Sequence, residues 1–354
     1  KVESTMYALI QHDDIKSRKL ADEIDGLELY MMEGSTNKIP IHLVWQIISR
    51  KKRPKAVVLR YLNDSNSFVK SLIRLITTVI TILLTLILRI KLVWICHNFD
   101  KESKEYFHLI VKLRRRLVIY FSNKILVTDK LLIEHAEEFL KVNKSKIDYI
   151  TFGRPVFFNS SKPDINIMRK IIEFTKDKDQ NTLIGLSIGN PNAKVLQPFY
   201  THDLVNKSKK SNIKIKIILG GPIGDYIKQQ DINVYNELIN DKDILFLDQI
   251  VNINEEYISQ YIDFYWRVYD DFSVPFTVYN AVYLKKPILT MNKGFLGEMV
   301  RIYNIGTVLD NNFSNIDKAL SSLKKDRNQL FQLFIDSHNW GVGADKIYNT
   351  IKNL

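Results

Sequence analysis

The segment 269–289 has the residue types of a phosphate-binding site. It reads YDDFSVPFTVYNAVYLKKPIL, in which polar residues lead through Ser273-Val274-Pro275 into an apolar-periodic run. Ser273 or a neighbour could cap a helix, and proline fits the first helical turn. A helix start offers N–H groups and the positive end of its dipole, which together can bind phosphate. An ordinary helix start in an α/β domain has the same pattern, so both interpretations stay open.

Short polar or glycine-rich turns also follow strand-like segments at four places. Carboxyl ends of parallel strands meet at one edge of a sheet, so we expect these turns to border binding sites. The alternatives are that Asp13 and Asp14 cap a helix, and that His97 is a structural histidine closing a strand. No Cys/His cluster has zinc spacing. The turns are His12-Asp13-Asp14, His97-Asn98, Gly189-Asn190 and Gly220-Gly221.

Strand-like and helix-like segments alternate along the sequence, in the rhythm of parallel, doubly wound sheets. A polar stretch, 157–179, divides them into two series. We therefore expect an α/β protein with two Rossmann-like domains facing a cleft: 1–155, 156–335, and a C-terminal helix, 336–354, packing back on the first. The predicted strands are 6–11, 27–32, 56–61, 91–96, 124–128, 148–152, 182–188, 213–219, 243–247, 264–269, 287–291 and 307–309.

The segment 68–88 is predicted to be a long apolar helix. Its uncharged run has 14 residues, fewer than the roughly 20 that span a bilayer. Arg74 and Arg89 bracket that run. The helix could be buried in the first domain, or it could be partly exposed and dip into a membrane interface.

The positive charge is concentrated in the first half of the chain. Of the net charge of +12, residues 1–154 contribute +10, from 27 Lys/Arg against 17 Asp/Glu. A basic domain with an apolar helix favours docking on an anionic membrane surface. Nucleic acid is disfavoured because no helix-turn-helix, RRM or zinc-finger pattern occurs. The predicted membrane- or acceptor-contacting residues are Lys51, Lys52, Arg53, Arg114, Arg115 and Arg116.

The single cysteine, Cys96, fits a reducing compartment, and we recognise no signal peptide. We therefore expect a cytoplasmic protein, peripheral at the inner face of the cell membrane.

With its elements in order, the sequence resembles the GT-B glycosyltransferases that use sugar nucleotides, particularly family-4-like enzymes that build polysaccharides and lipid-linked glycans. One matching piece is LVWICHN, 92–98. The other is 262–310, which contains the Ser-Val-Pro loop, Asn280-Ala281, Lys286-Pro287-Ile288 and Gly297-Glu298. The resemblance extends over nearly the whole chain.

This resemblance implies a donor site in the C-terminal domain, where a helix N-terminus takes the diphosphate of a nucleotide-sugar. Glycines would let the backbone approach the nucleotide, backbone groups would meet the base, and Asn280 would reach the ribose. The implied donor-binding residues are Gly189, Asn190, Gly220, Gly221, Ile250, Val251, Ser273, Val274, Pro275, Phe276, Thr277 and Asn280.

The sequence departs from the family pattern at three positions. Phe272 and Asn280 stand where family-4 retaining enzymes usually have glutamates, and Asn190 replaces the usual arginine. The donor phosphates would then rest mainly on helix-end N–H groups and hydroxyls, without a metal or another cofactor.

For inversion, a base must come from the first domain. The candidates are His97, which would face the reacting sugar, and Asp13 and Asp14, with His12 and Asp100 beside them. We expect a hexosyltransferase that moves a sugar from a UDP-, GDP- or dTDP-sugar to a polyprenyl-diphosphate-linked or other growing glycan, in surface polysaccharide or glycoconjugate biosynthesis. The alternatives are a nucleotide-sugar epimerase and a catalytically silent GT-B subunit that binds a partner glycosyltransferase.

Overall fold

The computed structural model describes residues 6–32, 38–50, 52–99, 106–155, 162–190 and 196–354. The chain forms two units. The first comprises Lys1–Pro155, Phe272–Val274 and Ser337–Leu354, and the second comprises Val156–Asp271 and Pro275–Asp336. Each unit contains one six-stranded sheet.

The sheet of the first unit is parallel throughout. Its strands are β1 (Met6–Gln11), β2 (Leu27–Met32), β3 (Ala56–Leu59), β4 (Lys91–Cys96), β5 (Lys124–Val127) and β6 (Ile147–Tyr149). They are ordered β2-β1-β3-β4-β5-β6, and Ala8 of β1 pairs with Leu29 of β2 and Ala56 of β3. Parallel strands covered on both faces have continuous apolar runs, and every residue of β3 is buried.

The helices of the first unit include one from the end of the chain. They are α1 (Ile15–Glu23), α2 (Ile39–Arg50), α3 (Phe68–Ile87), α4 (His108–Phe121), α5 (Leu132–Leu140) and α15 (Trp340–Asn353). Helix α15 packs beside α1. Gly343 also lets α15 approach the chain after β6, because a Cβ there would lie 2.2 Å from the Thr151 carbonyl oxygen.

The second sheet is also parallel. Its strands are β7 (Thr182–Ile188), β8 (Lys214–Gly220), β9 (Ile244–Leu247), β10 (Phe264–Trp266), β11 (Ile288–Met291) and β12 (Gly306–Leu309). The order β12-β11-β10-β7-β8-β9 places β8 and β9 on one side of β7 and the later strands on the other. The order in which strands are added to the sheet therefore reverses between β7 and β10. Ligands bind at such switch points in open α/β sheets.

The helices of the second unit cover this sheet around a continuous apolar core. They are α6 (Ile165–Thr175), α7 (Pro198–Ser208), α8 (Gly224–Gln230), α9 (Ile232–Asn240), α10 (Glu255–Ile258), α11 (Phe276–Tyr283), α12 (Gly294–Ile302), α13 (Ile316–Leu323) and α14 (Asn328–Ser337). Phe264 and Trp266 of β10 lie in the core, both fully buried.

The predicted fold class, two doubly wound α/β sheets, is confirmed. The sequence also predicts one helix over 315–336, and this is wrong, because α13 and α14 are separate. Asp326 accepts a hydrogen bond from the Asn328 N–H at 2.9 Å, which forms an Asx turn and starts the second helix. Helices α5, α8 and α9 were not predicted from the sequence, and β10 is shorter than expected, ending at Trp266.

The start of the C-terminal segment is fixed to the first sheet by a buried pair. His338 Nε2 lies 2.9 Å from Asp129 Oδ2, and the two side chains are 3% and 0% exposed. Ser337 Oγ lies 2.8 Å from the other ring nitrogen. The pair therefore links α15 to the carboxyl end of β5.

Replacing His338 with alanine removes one buried partner of the Asp129 carboxylate. We expect His338→Ala to lower the free energy of unfolding by about 3 kcal/mol, because a buried carboxylate loses a hydrogen bond. Denaturant unfolding measures the change, with Lys352→Ala, an exposed position of α15, as the control. If both variants unfold like the wild type, the pair does not hold the segment.

Candidate functional site

Backbone segments approach closely at the carboxyl ends of β7 and β8. Gly221 has a φ of +136°, and a Cβ there would lie 1.8 Å from the Gly189 carbonyl oxygen. A Cβ on Gly220 would lie 2.7 Å from Val251 Cγ2. Only glycine tolerates such contacts and that φ. The structure thus brings together four of the residues predicted for the donor site.

A buried arginine occupies the same edge of the sheet. Arg267 follows β10, is 7% exposed, and its Nη1 lies 3.3 Å from the Ile188 carbonyl oxygen. A Cβ on Gly189 would lie 2.7 Å from that nitrogen. The guanidinium carbon lies 5.1 Å from the centre of the Tyr269 ring. Burial lowers the pKa of Arg267, while Tyr269 and Asp271 oppose this shift.

Sequence reasoning missed Arg267 because it lies in the aromatic run Phe264–Tyr269, which we interpreted as a core strand. A single cation inside such a run was the available signal. Of the other predicted donor residues, Asn190 is exposed and Ile250 is 78% exposed.

The stretch 269–289 is divided between the two units. Phe272–Val274 belongs to the first unit, and the chain from Pro275 belongs to the second. Pro275 is the N-cap residue of α11 rather than its first helical residue, and its own side chain makes no capping hydrogen bond. Phe276 and Thr277 form the first turn, where a helix carries partial positive charge. Such a helix start can bind an anion.

Asn280 lies on α11, and its side-chain amide is hydrogen-bonded to another side chain. Its Nδ2 donates to Glu255 Oε2, and the Tyr265 hydroxyl donates to the same oxygen at 2.6 Å. Asn280 is 9% exposed, and Glu255 is half-buried. A carboxylate from α10 thus stands beside the α11 position where the resemblance led us to expect a glutamate. We did not predict this role for Glu255.

In the first unit, four rings stack at the carboxyl ends of the strands. The His12 and Tyr61 ring centres are 5.4 Å apart. Tyr61 and His97 stack at 4.7 Å with an angle of 13°, and His97 stacks on Phe152 at 5.6 Å. His12 has a φ of +68°, which is uncommon for a residue other than glycine. The structure places the predicted His97 in a cluster that also contains His12.

Asp13 and Asp14 have structural partners. The Asp14 carboxylate accepts from the Ser17 N–H at 2.9 Å, which caps α1, and it pairs with Arg60. Arg18 donates twice to Asp13, at 2.6 and 2.9 Å.

Burial opposes ionisation of Asp14, but Arg60 and the Ser17 N–H outweigh it and lower the pKa. The hydrogen bond from Arg18 lowers the pKa of Asp13. A carboxylate with a lowered pKa is a weak base. Asp14 therefore has the capping role that was its alternative interpretation, and a catalytic role for Asp13 or Asp14 stays a prediction.

A lysine and His12 complete this cluster. Lys16 Nζ lies 5.2 Å from the centre of the Phe152 ring. Burial, together with Arg60, lowers the pKa of Lys16 to about 7, and Asp14 opposes that shift. Burial and Arg60 also lower the pKa of His12. The cluster therefore contains nitrogen groups that are partly or largely neutral near pH 7 and can accept a proton.

Helix α3 has its polar face inward and its apolar face outward. Its buried residues are Ser71, Thr78, Thr81, Ile82 and Thr85. Hydroxyls such as that of Thr81, which donates to the Thr77 carbonyl at 2.8 Å, satisfy themselves within the helix. The exposed large apolar residues of α3 are Phe68, Val69, Leu72, Ile73, Ile76, Ile80, Leu83, Leu86 and Ile87.

The neighbouring helices extend this apolar surface. Helix α3 packs against α2 and α4. On α2, Ile41, Trp45 and Ile48 are 62–70% exposed, and on α4 Leu109 is 80% exposed. We call the exposed apolar residues of α2, α3 and α4 the apolar face. A continuous surface of this kind indicates an interaction site.

By length and composition, α3 is the one helix in the described part of the chain that could cross a membrane. It also packs against β4 as a layer of the first unit. That position fits a helix lying at an interface better than one spanning a bilayer.

The basic residues differ in their exposure. Arg114 was predicted to lie at the surface, which is wrong: it is 0% exposed, and it donates to the Leu62 carbonyl at 3.0 Å. Arg115 is half-buried, whereas Lys52, Arg53 and Arg116 are exposed. Lys51 and Asp100 lie outside the described residues.

The residues that the structure describes contain no group of three or more His, Cys, Asp or Glu side chains able to hold a metal ion. No family model matches the sequence, and no curated protein matches it.

Solved structures do match the chain over its length. A glycosyltransferase from Rickettsia africae is 14% identical with a TM-score of 0.62, and the match covers 99% of this chain and 98% of that one. Anabaena HepE in complex with UDP is 12% identical with a TM-score of 0.60, covering 99% and 100%. The chain has the GT-B fold.

The same GT-B architecture relates the chain to an enzyme of another class. The UDP-GlcNAc 2-epimerase of Methanocaldococcus jannaschii is 14% identical with a TM-score of 0.54, covering 98% of this chain and 99% of that one. At identities this low, the structural similarity establishes the fold alone. The resemblance inferred from the sequence is confirmed at that level.

The pKa of Lys16 can be tested directly. In protein whose lysines carry ¹³C-methyl groups, we expect one NMR resonance to titrate near pH 7 and to be absent in Lys16→Arg. Asp14→Asn should lower that pKa further, because Asp14 raises it. A higher Lys16 pKa in Asp14→Asn, or the absence of a lysine resonance that titrates near pH 7 in the wild type, contradicts the geometry.

The same shift affects stability with a defined sign. The pKa of Lys16 falls from 10.5 to about 7 on folding, so the unfolded chain binds more protons in this range. The buried charge of Lys16 therefore destabilises the fold fully below about pH 7, and this penalty is lost as the pH rises from about 7 to 10.5, so the stability increases over that range.

Proposed function

We propose that this protein is a glycosyltransferase that takes a sugar from a nucleoside-diphosphate sugar. The observation that carries the proposal is the switch point of the second sheet, where Gly189, Gly220 and Gly221 let protein segments pack closely, at the edge where open α/β sheets bind ligands. The structural likeness to HepE in complex with UDP supports a nucleoside diphosphate as the ligand.

The chemistry is a substitution at the anomeric carbon of the donor sugar. The acceptor hydroxyl oxygen forms a bond to that carbon, and the bond from the carbon to the diphosphate oxygen breaks. The N-terminus of α11, which carries partial positive charge, stabilises the leaving diphosphate. In the first unit, the histidines His12 and His97 are the candidates to take the acceptor proton, and no metal is needed for either step.

The acceptor in this proposal is a lipid-linked or growing glycan at an anionic membrane surface, at the cytoplasmic face. The inward-facing hydroxyls of α3 and the apolar face support this, since apolar side chains in an interface leave water. Lys52, Arg53 and Arg116 add exposed positive charge to the same unit. Surface polysaccharide or glycoconjugate assembly supplies such acceptors.

An epimerase is the second candidate, favoured by the likeness to the 2-epimerase. It needs no acceptor, so it leaves the apolar face unexplained. Incubating UDP-GlcNAc with the protein alone separates the two, because an epimerase changes the sugar and a transferase leaves it intact. A catalytically silent subunit would bind a partner glycosyltransferase but no nucleotide-sugar donor.

Nucleotide binding tests the proposal. By calorimetry, we expect one of UDP, GDP and dTDP to bind, and Thr277→Ala to weaken binding about tenfold, because a hydroxyl beside a phosphate donates a charge-assisted hydrogen bond. Ser321→Ala, an exposed hydroxyl on α13, is the control. Failure of all three nucleotides to bind removes the proposal.

Membrane binding is tested separately with vesicles. We expect cosedimentation with phosphatidylglycerol-containing vesicles and a loss of about 100-fold in Lys52→Glu/Arg53→Glu/Arg116→Glu, at roughly 1 kcal/mol for each basic residue. The control reverses three exposed lysines of the second unit, Lys207, Lys210 and Lys325.

Equal losses in the two triple variants would mean that only net charge matters. Trp45→Ala/Leu109→Ala should also reduce binding, including at high salt where electrostatic attraction is screened. Undiminished binding in that double variant contradicts insertion of the apolar face.

A further inference from the structure

The hydrogen-bond partners of Arg267 are neutral groups. Nη1 donates to the Ile188 carbonyl at 3.3 Å, and with its amide turned, Gln197 offers an oxygen to the same nitrogen at 2.9 Å. The Tyr269 ring lies against the guanidinium. Nε is buried without a hydrogen-bond partner. Among the described residues, Arg267 makes no ion pair.

Such an environment is costly for a cation. Moving a charge out of water costs several kcal/mol unless an opposite charge and full hydrogen bonding compensate. A carbonyl, an amide and a phenol ring compensate only in part. Asp271 acts on the guanidinium through space rather than as a bonded partner. The second unit thus maintains a buried positive charge that Asp271, Tyr269 and the neutral acceptors compensate only in part, and an anionic ligand would add to that compensation.

The position of this charge indicates the class of ligand. Arg267 stands at the switch point between β7 and β10, the edge at which α/β sheets bind ligands. Gly189 has no side chain where Nη1 approaches, so the guanidinium can lie against the end of β7. Its planar array of donors matches phosphate oxygens in pairs, which a lysine cannot reproduce.

We propose that Arg267 binds the diphosphate of the nucleotide donor and stabilises it as the leaving group. The identity of the nucleotide rests on the proposed function, but the anion site does not. In this assignment the main cation that binds the phosphates is the side chain that directly follows strand β10. The helix start at α11 contributes dipoles, and Arg267 contributes full charge.

Calorimetric titration tests the assignment in wild type, Arg267→Gln, Arg267→Lys and Arg301→Gln. Arg301 is exposed on α12 and provides the same change of charge in the same unit. The probes are inorganic pyrophosphate and whichever of UDP, GDP and dTDP binds. We expect Arg267→Gln to lose about 10- to 100-fold in affinity for both probes, Arg267→Lys to lose less, and Arg301→Gln to match the wild type.

The outcomes separate this inference from the proposed function. If a nucleotide binds wild type and Arg267→Gln equally, the inference is wrong and the transferase proposal stands. If no nucleotide binds but pyrophosphate binds in an Arg267-dependent way, the transferase proposal fails and the anion site stands. If pyrophosphate also fails to bind, both fail.

Thermal unfolding distinguishes a ligand-binding arginine from a structural one. Without ligand, Arg267→Gln should unfold at or above the wild-type temperature, because it removes an uncompensated buried charge. Arg327 is a buried arginine of the same unit that donates to the Ser322 carbonyl at 2.7 Å, and Arg327→Gln should unfold at a lower temperature. A comparable fall in Arg267→Gln would assign Arg267 a structural role and overturn the inference.

Discussion

The close approach of Gly221 to the Gly189 carbonyl oxygen determines how the ends of β7 and β8 pack in the second unit. A side chain at position 221 would overlap that oxygen, and one at 189 would meet Arg267. The two strand ends can therefore lie side by side with a guanidinium against them only because both residues are glycines. Each strand interior is apolar, so this edge is where the second sheet can present charge.

The fold could be predicted from the sequence because parallel strands leave a simple signal. Buried on both faces, they appear as short apolar runs ended by turns, and the runs at 6–11 and 182–188 match β1 and β7 residue for residue. Site chemistry was less predictable. Arg267 and Glu255 act through contacts with residues 79 and 25 positions away, and such contacts depend on the strand order.

Helix α3 shows a different limit. Its composition is compatible with a buried helix and with an interfacial one, because both are apolar. The structure shows which residues of α3 face outward: Thr78 and Thr85 are buried, while Ile76 and Leu83 are exposed. A core helix in water has the reverse arrangement. Arg114 is the counterpart, a charge that the sequence suggested for the surface and that the structure buries.

The departures from the family pattern acquire a common explanation. Asn190 lacks the expected charge, but Arg267 reaches the neighbouring Gly189 from another strand. Asn280 lacks the expected carboxylate, but it holds the carboxylate of Glu255. In both cases a group of the missing kind arrives from a different element.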